Sequence, residues 1–331
     1  MTKLYPLKFV PILKERVWGG NRLLTDYGKI APEGAKIGES WEISGVQGDI
    51  SLIANGFLEG NNLEEIVEVY MGDLVGEKIF EKFGREFPLL IKFIDAGEDL
   101  SVQVHPPDEL AKQRHHAYGK TEMWYVLEAN DDAKIYTGFN QEMTRELFIK
   151  SLENGRIAEK LNIEKPEPGD VFFLPAGRIH AIGKGVVLTE IQQTSDITYR
   201  VWDWKRMGLD GKARELHTEL AVDAIDYNLY DSYKTSAEPE RNRTVNIIDC
   251  KYFTSNIIDL DRDMIKDYSL TDSFVIYICI AGSASLEWKE GSMALVKGET
   301  VLIPAIMEKI GIKAVEPAKI LEVYIREVSE V

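Results

Sequence analysis

Cysteine is almost missing from this chain: Cys250 and Cys279 are the only two in 331 residues. That excludes a disulfide framework and makes a reducing cytoplasm the default expectation. Long apolar runs are missing too. The longest, Phe274 to Ala281, is far too short to span a bilayer, so it is expected as a buried strand and no membrane partner is expected. Pro6, Lys8, Pro11 and Lys14 interrupt the amino end where a signal peptide would need an apolar core. Positive charge is scarce, with 39 Lys+Arg against 55 Asp+Glu and a formal charge of −16. A nucleic-acid partner wants a basic face, so that class is not expected. One small phosphate, held by a local group of Lys and Arg, remains compatible with the composition.

What is present is an ordinary globular mixture, 44% hydrophobic and 28% charged. Together with the lack of a heptad pattern, it excludes disorder, collagen and coiled coil. The length suggests about two domains. Residues 4–60 look β-rich, cut by Gly and Pro, with Gly19-Gly20 as a turn signal. Trp18 and Trp41 stand out there as core residues or a sugar-stacking platform; core is the preferred reading. Leu63, Ile66, Val67, Tyr70, Met71, Leu74 and Val75 recur at helical spacing and predict a helix over 62–84. Pro88 to Ile94 is a compact apolar strand carrying Lys92 in its middle. Such a lysine belongs either to an edge strand or a snorkelling side chain, or to a polar site.

Strands are expected near 100–105, 122–128, 133–138, 170–174, 179–183, 186–193 and 197–204. Helices are expected at 145–161 and 216–229. The polar stretch 234–246, with Pro239, reads as a linker that divides the chain into 1–240 and 241–331. Short strands separated by Gly and Pro turns predict a mainly β fold, a barrel or a double-sheet jelly roll. A faint repeat supports two related β units. Pro168 to Ala176 resembles Lys297 to Ala305, and Met123 to Leu127 resembles Val275 to Cys279, in the same order.

The chemistry gathers around the histidines. Gln103 and His105 are two apart on a strand, so they share a face while Val102 and Val104 turn the other way. Glu122 opens the next apolar strand, and His180 follows Pro175-Ala176-Gly177. Two imidazoles, a carboxylate and a neutral carbonyl oxygen suit Zn²⁺ or another first-row divalent ion, with a position left open for substrate. Any one of these residues alone would read as a polar side chain satisfied locally. His115 and His116 fall in a polar loop expected at the surface, and His217 is expected on a surface helix.

Four ordered motifs carry a family resemblance: Gln103-Val104-His105-Pro106, Gly119 to Tyr125, Pro175 to Ile182, and Gln192 to Trp204. The sequence resembles the type I phosphomannose isomerases in their short bacterial form, members of the cupin superfamily, strongly over about 5–206 and weakly beyond about 235. Trp18-Gly19-Gly20 and Gly38 to Glu42 also fit. The resemblance implies two cupin-type jelly-roll barrels with a small helical segment near the catalytic one. It implies a zinc aldose–ketose isomerase that interconverts mannose 6-phosphate and fructose 6-phosphate. Its metal ligands would be Gln103, His105, Glu122 and His180, with one Zn²⁺ per chain. Arg200 matches the family's active-site arginine. Lys92, Ser101 and Lys120 match positions near the substrate and its phosphate, and Glu190 matches an acidic residue lining the pocket. Thr194 stands where Asn is usual and Pro107 adds a second proline; neither is a proposed ligand.

These residues make coherent chemistry. Proton transfer between C1 and C2 of an open-chain sugar passes through an enediolate, whose charge a divalent ion and Arg200 can stabilise. Glu190 and Lys120 are both candidates for the general base. Lys92 and Lys120 offer positive charge to a phosphate dianion. Strand alternation puts Thr198, Arg200 and Trp202 on one face, and Tyr199, Val201 and Asp203 on the other. Arg200 is therefore expected either inside the barrel or in a salt bridge with Asp203 or Asp196. Two other readings fit the ligand set: an iron-dependent cupin oxygenase, and a non-catalytic metal-cupin sugar sensor. The repeat alignment sets Phe274 opposite Glu122 and Lys309 opposite His180, so the C-terminal half is expected to be structural and without a metal.

Overall fold

A computed structural model describes residues 4–235 and 238–326. The fold is mainly β, with every strand pair antiparallel. A seven-stranded sheet runs in the order Ile12–Gly20, Ile37–Ile43, Leu89–Asp95, Val186–Gln193, Glu122–Ala129, Val171–Leu174 and Lys234–Thr235. A five-stranded sheet, Tyr199–Trp202, Val102–Val104, His180–Ile182, Ile135–Phe139 and Leu161–Glu164, lies against it. Trp18, Trp124, Phe172 and Leu188 from the first sheet share one apolar cluster with Ile135 and Ile182 from the second.

The C-terminal part repeats this layering. Arg243–Asp249, Thr254–Leu260, Ala318–Tyr324, Val275–Ala281 and Thr300–Ile303 form one sheet. Met264–Asp267, Lys309–Ala314, Ser283–Trp288 and Gly291–Val296 form the other. The two segments of the sequence repeat take equivalent places. Glu122–Ala129 pairs with Val171–Leu174, and Val275–Ala281 pairs with Thr300–Ile303. In both halves a glycine with positive φ, Gly169 or Gly298, precedes the second strand.

Strand alternation explains why the central strands read as unbroken apolar runs. Ile91, Phe93, Met123, Tyr125, Val187 and Ile191 face outward and pack against Ile257, Ile276, Ile278 and Leu321 of the C-terminal sheet. The residues between them face inward, toward the five-stranded sheet. Both faces of these strands are therefore covered, and the two halves meet back to back, with the Phe87 and Phe274 rings 4.6 Å apart.

Several expected boundaries move. The helix expected over 62–84 is three short helices, Leu63–Tyr70, Gly72–Val75 and Glu77–Phe83. The breaks fall at Met71 and Gly76, whose φ values of 47° and 101° are left-handed. A Cβ on Gly76 would come 2.5 Å from the Asp272 carbonyl oxygen, so this break also lets the C-terminal half approach. The helix expected at 145–161 ends at Glu153, and a 3₁₀ turn, Ile157–Lys160, leads into the strand Leu161–Glu164. The helix expected at 216–229 contracts to Thr218–Ala224. His217 is its N-cap, half-buried, and not a surface helix residue. His115 closes the helix Asp108–His115 and is not in a loop, although it is exposed as expected, with its Nε2 2.7 Å from the Tyr199 hydroxyl. Part of the expected linker is ordered as Lys234–Thr235, paired with Val171–Leu174, and the strand from Arg243 takes up its end.

Ile278 lies where the two halves meet and has no solvent exposure. Ile278→Asp buries an unpaired carboxylate and is expected to cost several kcal/mol. Thermal unfolding of this variant should show a large loss of melting temperature or no folded protein; a melting curve close to wild type contradicts the back-to-back packing.

Candidate active site

Two rows of cross-strand neighbours build the site, one on each sheet of the N-terminal sandwich. On the seven-stranded sheet the row is Trp41, Lys92, Glu190, Trp124 and Phe172, each directly opposite the next. On the five-stranded sheet it is Arg200, Gln103, His180 and Thr137. Directly opposite residues project to the same face, so each row delivers its side chains together. Glu122 sits two residues before Trp124 and His105 two after Gln103, which puts both on the inward faces.

These rows place Lys92 on a central strand, only 5% exposed, so it is neither an edge residue nor a snorkelling one. Its Nζ donates to Glu190 Oε1 at 2.9 Å and lies 5.1 Å over the Trp41 ring. Trp124 Nε1 donates to the other Glu190 oxygen at 2.8 Å. Lys120 Nζ stands 3.0 Å from Glu122 Oε2 and 3.7 Å from Glu190 Oε1. Burial alone would raise the Glu190 carboxyl, but Lys120 and Lys92 outweigh it and hold Glu190 well below the usual carboxylate range. Burial would lower the Lys120 ammonium, but Glu122 and Glu190 reverse that and keep its proton on.

His105, Glu122 and His180 bring one ligand atom each to within 4.8 Å of one another, all three buried. His105 Nδ1 donates to the Ile197 carbonyl and His180 Nδ1 to the Arg178 carbonyl, both at 2.8 Å. A carbonyl only accepts, so each ring carries its proton on Nδ1 and points the Nε2 lone pair inward. Those lone pairs lie 3.5 and 3.3 Å from the two Glu122 oxygens, and Lys120 Nζ stands 3.2 Å from His105 Nε2 at the edge of the group. Neither Glu122 oxygen has a well-aligned hydrogen-bond donor. Burial, and then neighbouring Lys120 and His180, keep the His105 imidazole neutral; burial also takes His180 down to about 4. Burial and the Glu190 charge push the Glu122 carboxyl up. Three buried acceptors facing one another are the donor set that a divalent cation relieves. Gln103 Nε2 lies 3.3 Å from His180 Nε2, and the amide turned end for end presents its oxygen to the same point.

Beside this buried cluster lies a cavity of about 550 Å³, which Gln103, Lys120 and Glu190 reach but His105, Glu122 and His180 do not. Lys92, Ser101, Gln103, Lys120, Glu190 and Arg200 all line it. Trp18 and Trp41, read from the sequence as core, are buried and also form part of its wall. Arg200 is not salt-bridged to Asp203 or Asp196. Asp203 follows the end of the strand and is held by Arg206 and Arg214. Arg200 Nη1 donates to the Glu215 carbonyl at 2.8 Å, and its backbone N–H donates to His217 Nδ1. Sequence reasoning missed Glu39, which ties Arg16 and Lys92 together, and Arg214. The only available signal for Glu39 was its place one strand away, two residues before Trp41.

The fold and the site together define a cupin built around a His–Glu–His metal cluster. The phosphomannose isomerase type I catalytic domain matches residues 6–144, and the mannose-6-phosphate isomerase cupin domain matches 242–324. Mannose-6-phosphate isomerase ManA of Bacillus subtilis is 36% identical over 305 residues, covering 90% of this chain and 93% of that one. The mannose-6-phosphate isomerase of Streptococcus mutans is 36% identical over 226 residues, 66% of this chain and 67% of that one. A crystal structure of the mannose 6-phosphate isomerase from Bacillus subtilis superposes with a TM-score of 0.87 at 31% identity, covering 97% of this chain and all of that one. The chain belongs to the type I mannose-6-phosphate isomerase family.

The cluster geometry predicts that His180→Ala removes bound divalent metal while His115→Ala, outside the cluster, keeps it. Elemental analysis of the purified variants checks this; equal metal content in both contradicts it.

Proposed function

We propose that this protein interconverts mannose 6-phosphate and fructose 6-phosphate in the cytoplasm, with one Zn²⁺ per chain held by His105, Glu122, His180 and Gln103. The buried His–Glu–His cluster directly beside Lys120, which lines one cavity with Lys92 and Glu190, supports this reading most directly, in a chain of this family. When bound, the ion supplies Lewis-acid stabilisation for negative charge on a substrate oxygen. We also take 1–240 as the catalytic cupin barrel and 241–331 as a degenerate one that supports it.

The open-chain sugar enters with C1 and C2 beside the cluster. Glu190 is ionised and takes the proton that leaves C2, then returns it to C1. Lys120, which keeps its proton, donates to a sugar oxygen. Lys92 holds Glu190 in place and, with Ser101, accommodates substrate oxygens. Arg200, across from Gln103, carries fixed positive charge to the enediolate. Neither an oxygenase nor a sugar sensor is favoured, since the relatives named above are isomerases.

A coupled assay that follows fructose 6-phosphate from mannose 6-phosphate tests the function. Turnover that is lost with a chelator and restored by zinc supports it; no turnover by metal-replete protein refutes it. Arg200→Ala is expected to lower kcat by roughly a hundredfold or more, the scale for losing a transition-state donor. Zinc content and melting temperature should remain near wild type. Unchanged turnover, or loss of activity only through unfolding, contradicts the role given to Arg200.

A further inference from the structure

Lys120 does not stand on a strand. The strand Glu122–Ala129 begins two residues later, and 116–121, after the helix Asp108–His115, has neither helix nor strand. The approach to His180 is likewise irregular, with 175–179 a turn and coil between Val171–Leu174 and His180–Ile182. Lys120 nevertheless keeps its ammonium 3.0 Å from Glu122 Oε2 and 3.2 Å from His105 Nε2. A loop has no ladder to fix it, so side chains have to supply the partners that its backbone needs.

One carboxylate supplies most of them. Asp108 Oδ1 accepts from the Gly119 N–H at 3.0 Å and from Gln193 Nε2 at 2.9 Å. An ionised carboxylate only accepts, so it turns the NH₂ end of Gln193 toward itself and the amide oxygen away. That oxygen receives the Thr121 N–H at 2.8 Å. Asp108 thus holds the backbone on both sides of Lys120, once directly and once through Gln193. The Thr121 hydroxyl in turn accepts from the Ala176 N–H at 3.1 Å, and the Gly177 N–H donates to the His105 carbonyl at 2.9 Å. The segments that carry Lys120, Glu122 and His180 are therefore tied into one hydrogen-bonded chain. They also touch backbone to backbone: a Cβ on Gly119 would come 2.6 Å from the Asp108 nitrogen. The other Asp108 oxygen accepts from the Tyr252 hydroxyl at 2.7 Å, with Lys251 Nζ 3.6 Å away. Both residues belong to the C-terminal half, between the strands Arg243–Asp249 and Thr254–Leu260. Burial would raise the Asp108 carboxyl, but hydrogen bonds from Gln193, Tyr252 and Gly119 outweigh it and hold the group below the usual carboxylate range.

We propose that Asp108 is a positioning residue for the isomerase: it aims Lys120 through Gly119, Gln193 and Thr121, and Tyr252 of the C-terminal half holds Asp108 in place. This rests on the functional reading above and gives the C-terminal half a part in turnover, besides covering the back of the sheet. Asp108 does not line the cavity and is not among the clustered metal-ligating side chains. Its loss therefore displaces a proton donor without removing a substrate contact, which costs rate more than binding.

Steady-state kinetics of the zinc-loaded full chain test it. Tyr252→Phe removes one hydroxyl and should lower kcat about three- to tenfold, with KM for mannose 6-phosphate within about twofold of wild type. Asp108→Ala should lower kcat by roughly tenfold or more, and adding Tyr252→Phe to it should change nothing further. Asp108→Asn keeps one carbonyl oxygen for Gly119 and Gln193 and should lose less. Lys8→Met breaks a different ion pair between the halves, the 2.7 Å contact with Glu299, and should leave kcat near wild type. Unchanged kcat in Tyr252→Phe, a loss taken in KM instead, additive losses in the double variant, or an equal loss in Lys8→Met overturns the proposal. If Asp108→Ala does not fold, the comparison of Tyr252→Phe with Lys8→Met decides it. Amide hydrogen exchange over 119–122 needs no turnover. It should quicken in Tyr252→Phe and not in Lys8→Met, and equal exchange in the two also overturns the proposal. Exchange that follows this pattern, in a protein whose wild type does not isomerise the sugar, refutes the functional reading alone.

Discussion

The site depends on a convergence of acceptors: two imidazole lone pairs and a carboxylate meet in a buried pocket, with the Lys120 ammonium and the Gln103 amide at its edge. His105 and His180 cannot turn their protons inward without giving up the Ile197 and Arg178 carbonyls. Burial keeps both rings neutral. Glu122 cannot relax toward solvent, because it has no exposure and its strand is paired on both sides. A cation between them resolves the conflict, and the surrounding charges are set out to tolerate it. Lys120 approaches one edge of the cluster, and Glu190 balances Lys120 and Lys92 behind it.

The rest of the fold keeps these groups from moving apart. The two rows of cross-strand neighbours hold the side chains in register from opposite sheets. A sheet covered on only one face could flex, but here the back of the seven-stranded sheet is packed on the C-terminal half. The connection between halves is also polar: Lys29, almost fully buried, reaches both Glu42 and the Gly298 carbonyl. Tyr252 donates to Asp108, whose other oxygen receives Gln193 Nε2 and the Gly119 N–H. Gln193 in turn accepts from the Thr121 N–H, between Lys120 and Glu122. The C-terminal half thereby helps to fix the segment that carries both residues.

Much of this was legible from local pattern. Period-two alternation gave the Gln103–His105 face and the shared side of Thr198 and Arg200, because a strand's side-chain directions are a local property; it failed at Trp202, where a register shift after Arg200 sets the ring against the cluster of Tyr199 and Val201. The positions of Glu122 and His180 at strand starts were likewise visible from the Gly and Pro that precede them. The pairing of Lys92 with Glu190 was not, since it depends on which strands become neighbours across nearly a hundred residues. The helix over 62–84 failed for a local reason. Its hydrophobic spacing survives the breaks, but Gly76 accepts a backbone angle that lets Asp272 approach.

The claim on which all of this turns is that the buried trio is a cation site. X-ray absorption fine structure, recorded at the metal edge of protein purified with its ion, reads the coordination shell without reference to turnover. The account predicts a shell of nitrogen and oxygen scatterers with the multiple-scattering signature of two imidazoles. A shell containing sulfur, with no imidazole signature, or one indistinguishable from the ion in water would contradict it.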